Sequence, residues 1–185
     1  MKCLIREILR FVSRPMIWYF RWCNAQGNVL ENRRLLRKLN AEDSETVFLY
    51  GRISVAHPEN CRLGHHVSIH DAEWNAEGGI SIGNHVHFGA DVSILTVSHN
   101  YEGQSIPYDS TFITKSVVIE DNVWVGQNVV IAPGTHIEEG CVIAMGATIS
   151  GRIPKGSIVG AAKWRTLKMR DMDKYETIKG AGKFH

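Results

Sequence analysis

A bulky aliphatic residue returns at every sixth position through one stretch of the chain: Ile119, Val125, Ile131, Ile137, Ile143 and Ile149. Four places after each of the first five stands a small or β-branched residue, namely Val123, Val129, Thr135, Cys141 and Ala147. A period of six matches neither the 3.6-residue turn of a helix nor the two-residue alternation of a half-buried strand, and self-similarity at a fixed period marks a stacked solenoid. Each hexad reads as a short strand closed by a turn. Three hexads close a triangular coil of about 18 residues, whose strands pair in parallel with the coils above and below at a spacing of about 4.8 Å. The aliphatic and the small residue of each hexad then point inward and fill a narrow prism.

The same phase is readable upstream, from about Val47 through Leu63, Ile69, Ile82, Phe88 and Ile94, with Val67, Val86 and Val92 inward. It breaks twice. Asp71 to Gly79 is out of phase, which predicts a bulge or loop leaving the prism; Asn100 to Ser116 carries no repeat at all and directly follows Ser98-His99. Interruptions of this kind are where solenoids place their sites. Ahead of the repeats, residues 29–40 read as a short helix (Leu30, Leu35, Leu36 and Leu39 against Arg33, Arg34, Arg37 and Lys38), followed by a polar connector at residues 41–45. Such a helix suits the cap that an open solenoid edge needs. Residues 1–24 alternate apolar pairs with Lys2, Arg6, Arg10, Arg14 and Arg21 and end in a cluster around Trp18-Tyr19-Phe20. The charges interrupt every apolar run well short of the ~18 residues a spanning helix requires. What is left is a basic amphipathic helix kinked at Pro15, suited either to an anionic membrane surface or to packing on the solenoid end or a neighbouring subunit. The chain therefore divides into a helical segment (1–45), an all-β solenoid (46–165) with a protruding loop at 100–117, and a short C-terminal helix and tail (166–185).

Charge and cysteine usage refine this picture only locally. The formal net charge is +2, yet residues 1–40 hold nine Lys/Arg against two Asp/Glu. The basic character belongs to the N-terminus, so the solenoid is not read as a nucleic-acid binder. Four scattered cysteines argue against a disulfide framework or thiolate metal site and suggest a reducing, cytoplasmic setting.

The segment Val118-Ile119-Glu120-Asp121-Asn122-Val123-Trp124-Val125-Gly126, with Ile131-Ala132-Pro133-Gly134-Thr135 and Ile153-Pro154-Lys155-Gly156-Ser157 after it, resembles the hexapeptide-repeat acyltransferases, most nearly their sugar O-acetyltransferase branch. The resemblance covers roughly residues 47–165. It implies a left-handed parallel β-helix, a homotrimer with active sites between subunits, acetyl-CoA as acyl donor, a sugar or glycan hydroxyl as acceptor, and no metal. It also places His99 where that family carries its general base, at the end of a coil before the extended loop. Acyl transfer from a thioester to a hydroxyl needs such a base, and imidazole is the side chain suited to it near neutral pH. By the same resemblance Asn75, Glu77 and Tyr101 are expected near the acceptor, and Trp124, Gly126, Ala144, Met145 and Ser150 along the donor groove, with Arg152 and Lys163 as the cations available to the donor's phosphates. Trp124 reads equally as an outward aromatic at a subunit interface. The chain departs from the family pattern at Gly151, where lysine is common, and at Gly160-Ala161-Ala162-Lys163, which lacks the usual proline. The alternatives are an acetyltransferase for an amine or non-sugar hydroxyl, a γ-class carbonic anhydrase-like zinc enzyme using His70, His87 and His99, and a non-catalytic scaffold.

Overall fold

The computed structural model describes residues 28–100, 104, 108–161, 172, 173 and 176. The basic segment 1–24, Tyr101, Lys163 and nearly all of the C-terminal helix expected at 166–185 lie outside these residues. Helix α1 (28–36) precedes the solenoid, and no helix among the described residues is long and apolar enough to cross a membrane.

Six coils follow. The first comprises β1 (Asn40–Ala41) and the long strand β2 (Phe48–Ala56); the second, β3 (Cys61–Leu63) and β4 (Ser68–Asn75); the third, β5 (Ile80–Ile82), β6 (His87–Phe88) and β7 (Val92–Leu95). An antiparallel pair, β8 (Val97–His99) and β9 (Phe112–Thr114), interrupts the climb. The fourth coil is β10 (Val117–Ile119), β11 (Trp124–Val125) and β12 (Val130–Ile131). The fifth is β13 (His136–Ile137), β14 (Val142–Ile143) and β15 (Thr148–Ile149), and the sixth β16 (Arg152–Ile153) and β17 (Ile158–Val159). The architecture is a left-handed parallel β-helix with three flat faces, an exception to the right-handed crossover preference of parallel strands. Face A stacks β1, β3, β5, β10, β13 and β16; the first halves of β2 and β4 join β6, β11, β14 and β17 in face B; their second halves join β7, β12 and β15 in face C.

The hexad phase holds through the core. Ile119, Val125, Ile131, Ile137, Ile143 and Ile149 are all buried, as are Val123, Val129, Thr135, Cys141 and Ala147. Each fully buried aliphatic side chain contributes about 1.5–3 kcal/mol of transfer free energy, so the column of them is the main cohesive term along the axis. Between faces the chain must turn sharply. At the A–B corner the left-handed conformation is taken in turn by His66, His85, Asn122, Gly140 and Gly156. Small polar side chains and glycine tolerate that conformation best, and the two histidines offset its strain by stacking on one another at 4.8 Å.

Three boundaries differ from expectation. The break at Asp71–Gly79 does not leave the prism as a loop: β4 runs unbroken to Asn75 through Asp71, whose φ is 33°, and its corner is one residue shorter than that of the next coil, since Ser68 pairs with His87 but Ala72 with Val92. The Asp71 carboxylate accepts the amide of Arg52 at 2.8 Å and so ties the shortened corner to the coil below. The solenoid also starts before Val47, since Asn40 and Ala41 already pair with Arg62 and Leu63. Helix α1 correspondingly ends at residue 36, and the buried Asn32 donates to the carbonyls of Leu49 (3.3 Å) and Gly51 (3.0 Å). The cap thus supplies donors where β2 has no coil beneath it. Finally, Ile149 is followed inward by Ile153 rather than by a residue six places on, because the Ser150–Gly151 corner is two residues shorter than the others, with Gly151 at φ 76°.

Candidate functional site

The excursion between coils 3 and 4 leaves from the C–A corner. It begins at Val97 and returns at Val117, both earlier and more regularly than a loop starting at Asn100. Val97 pairs with Thr114, Ser98 with Ile113 and His99 with Phe112. Its root is pinned by the buried Thr96, whose hydroxyl donates to the Asn75 carbonyl (2.7 Å) and accepts the Gly78 amide (2.8 Å), while its carbonyl accepts Lys115 N–H at 2.8 Å. Its outer part is tied by Asp109, whose carboxylate accepts from the amides of Gln104 (3.0 Å) and Thr111 (2.8 Å) and from the Thr111 hydroxyl. Those bonds, the Thr111 hydroxyl foremost and then the Gln104 and Thr111 amides, hold the Asp109 carboxyl below its ordinary range.

His99 stands exposed on this hairpin. Its ring lies flat against Tyr108 at 3.9 Å and 16°, and the Phe112 ring flanks it at 5.0 Å. The imidazole is thus flanked by two aromatic rings on an exposed hairpin, and no hydrogen bond joins it to another described residue. Tyr108 and Phe112 were not singled out in the sequence; the pairing of their strands, which brings them to His99, has no six-residue signal. Asn75 sits one coil below the hairpin root, but its side chain is committed locally, accepting the Glu77 amide at 3.0 Å to close the turn. Glu77 is exposed and lines a shallow depression of about 510 Å³ on face A with Arg62 and Ser81 among its walls; His99 is not one of them.

The residues expected along the donor groove fall into two groups within one chain. Trp124 projects from face B and is 59% exposed, stacked in register between His87 below and Val142 above. Gly126, Ala144 and Met145 sit beside it at the B–C corner, where a Cβ on Gly126 would come within 2.6 Å of the Met145 amide nitrogen. Ser150 lies across face C, at the corner from which the hairpin springs, and Arg152 is on face A in an ion pair with Glu138. That carboxylate also accepts the Lys155 amide at 2.8 Å, the largest cause of its depressed pKa, with Arg152 second. Arg152 is therefore already engaged. Lys115, exposed at the same corner as Ser150 with its alkyl stem against Gly134, is a cation the hexad reading passed over. Of the histidines considered as a zinc set, His70 stacks on Tyr50 at 4.5 Å and His87 shares a 2.7 Å hydrogen bond with Ser68. Among the described residues no three His, Cys, Asp or Glu side chains converge.

Residues 116–151 match the bacterial transferase hexapeptide family, six repeats in extent. The chain is similar over 73% of its length, with 25% identity and a TM-score of 0.58, to 82% of a hexapeptide-repeat-containing acetyltransferase from Vibrio cholerae O1 biovar eltor solved in complex with acetyl coenzyme A. A Vibrio cholerae structure of the same description is similar at 26% identity and a TM-score of 0.51, covering 77% of this chain and 91% of that one. A maltose O-acetyltransferase from Clostridium difficile 630 shares the fold at 23% identity and a TM-score of 0.54, over 72% of this chain and 71% of that one. No curated protein matches the chain by sequence.

Proposed function

We propose that the protein is an acetyl-CoA-dependent O-acetyltransferase acting on a sugar hydroxyl, with His99 as general base and active sites completed between the subunits of a homotrimer. The observation that carries this reading is His99 itself: an exposed imidazole flanked by Tyr108 and Phe112 on a hairpin that interrupts the coils. The acetyl-CoA complex of the similar Vibrio cholerae acetyltransferase supports the donor. Support for the sugar acceptor comes from the sequence resemblance.

The chemistry needs one proton relay. As the acceptor oxygen forms its bond to the thioester carbonyl carbon, the imidazole takes the hydroxyl proton. Collapse of the tetrahedral intermediate breaks the carbon–sulfur bond, and the imidazolium returns the proton to the leaving thiolate. Trp124, Gly126, Ala144, Met145, Ser150 and Lys163 would line the donor groove, with Lys115 available to a phosphate in place of the engaged Arg152. Asn75, Glu77 and Tyr101 would face the acceptor.

The test is release of CoA thiol from acetyl-CoA against a panel of sugars, amino sugars and serine, run with wild type and His99→Ala. Turnover with a sugar, lowered ~10²–10⁴-fold in the variant, is the expected result. Turnover confined to amines would replace the acceptor class, and a fully active His99→Ala would remove the base.

A further inference from the structure

Helix α1 turns two unlike stripes to its surroundings. Asn32, Leu35 and Leu36, with Leu39 just beyond its end, face the first coil, Asn32 and Leu39 being buried and the two leucines packed partly under cover. The opposite stripe carries Val29 and Leu30, 44% and 58% exposed, and then Arg33 and Arg34, continued past the helix end by Arg37 and Lys38, all exposed. Glu31, exposed on the same helix, offsets one of these four cations; of the acids beyond it, Glu42 is turned to His65 at 3.2 Å, and Asp43 caps the next turn through the Glu45 amide at 3.0 Å, so the surface keeps a positive surplus. In sequence the 27 residues leading into the helix add five further cations against one acid, interleaved with aromatic and aliphatic side chains. One end of the prism therefore presents a basic surface with an apolar margin, and the sequence ahead of it is itself basic and rich in aromatic residues.

We infer that this end of the solenoid docks on an anionic phospholipid bilayer, with Arg33, Arg34, Arg37 and Lys38 against the headgroups and Leu30 at the interface. Clustered cations next to exposed apolar side chains provide the two attractions that peripheral binding needs, since neither alone holds a protein to a membrane. A nucleic acid would gain from the cations but not from the apolar margin. Three copies in a trimer would present the surface three times, multiplying a weak contact by avidity.

The experiment is co-sedimentation of the full chain with vesicles of phosphatidylcholine alone and of phosphatidylcholine with 30% phosphatidylglycerol (roughly a natural anionic content), at low and at high salt. Wild type is expected to sediment with the anionic vesicles only, and less so as salt rises. The variant R33Q/R34Q/R37Q/K38Q is expected to bind on the order of 10²-fold more weakly. Unchanged binding by the variant, equal binding to neutral vesicles, or no binding by wild type at low salt would each overturn the inference. Circular dichroism of the variant separates a lost surface from a lost fold. Sedimentation needs no turnover, so this result stands or falls apart from the acetyltransferase reading.

Discussion

At Gly126 a single missing side chain sets how closely two coils approach. Its hypothetical Cβ would lie 2.6 Å from the Met145 nitrogen, 2.9 Å from the Ile143 carbonyl oxygen and 3.0 Å from Ala144 C, all backbone atoms of the coil above. Nothing there is flexible enough to yield. Gly126→Ala should therefore destabilise by about 1–3 kcal/mol, the range for overpacking a tight site. Ala144, one coil up in the same column, carries a Cβ, and a methyl group on Gly160 above it would meet that Cβ at 3.4 Å, an ordinary contact. Thermal unfolding of Gly126→Ala beside wild type reads the difference, and an unchanged midpoint would mean that the coils can part without cost. The inward hexads were legible in the sequence because each obeys the same burial demand. Gly126 was noticed for a different reason, as a groove-lining residue, and the close approach of Met145 that fixes it depends on coil-to-coil register. Buried Cys61 shows the same limit: its position fits the core, while its thiol, pushed up to about 12 mainly by burial and further by Glu59, is inert for reasons only packing shows.

The hairpin of β8 and β9 is the element on which the proposed chemistry depends, and its stiffness rests on Asp109. Because the folded carboxyl titrates below its ordinary value, its stabilising contribution is complete above the unfolded pKa of ~3.9 and is lost as pH falls through the lowered folded value. Acid should accordingly loosen the hairpin before it disturbs the coils, which amide exchange measured at pH 3 and pH 7 would resolve. Asp109→Ala should bring that loosening to neutral pH and, by letting Tyr108 and His99 drift, lower kcat/KM roughly tenfold to a hundredfold. If both protection and turnover survive the substitution, the carboxylate does not position the base. The sequence marked this stretch as an interruption and put a histidine at its edge. It gave no sign of the antiparallel pairing, because Val97 to His99 and Phe112 to Thr114 are short strands separated by residues with neither hexad nor clear alternating pattern. The opposite error arose at Asp71 to Gly79, where a net gain of one residue between Ile69 and Ile82 shifts the phase as a true loop would, although the strand runs on through a shortened corner at Asp71 and the gain falls after Trp74.

For the molecule as a whole, face B is the part that the single chain leaves unfinished. Phe48, Ser68, His87, Trp124, Val142 and Ile158 stand in one outward row, and Ile158 and Trp124 are 79% and 59% exposed. A row that apolar fits a subunit contact. Light scattering should give three times the 20.8 kDa chain mass, and Trp124→Glu should yield monomers with little turnover. A wild-type monomer with full activity would rule out shared sites. The sequence could show the row's apolar character at Trp124 but not its continuity, since its members lie 16 to 37 positions apart and meet only through register.

The register also crosses the interruption intact: Ser93 pairs with Val130 just as Val130 pairs with Thr148, although the first step holds the whole hairpin and the second is a plain coil. The hairpin is thus a side branch on a trunk that closes without it, and the entropic cost of a longer or shorter branch grows only with the logarithm of its length. Evolution can therefore graft a different branch at this node and try a new acceptor while the trunk, and with it the stability of the protein, is inherited unchanged.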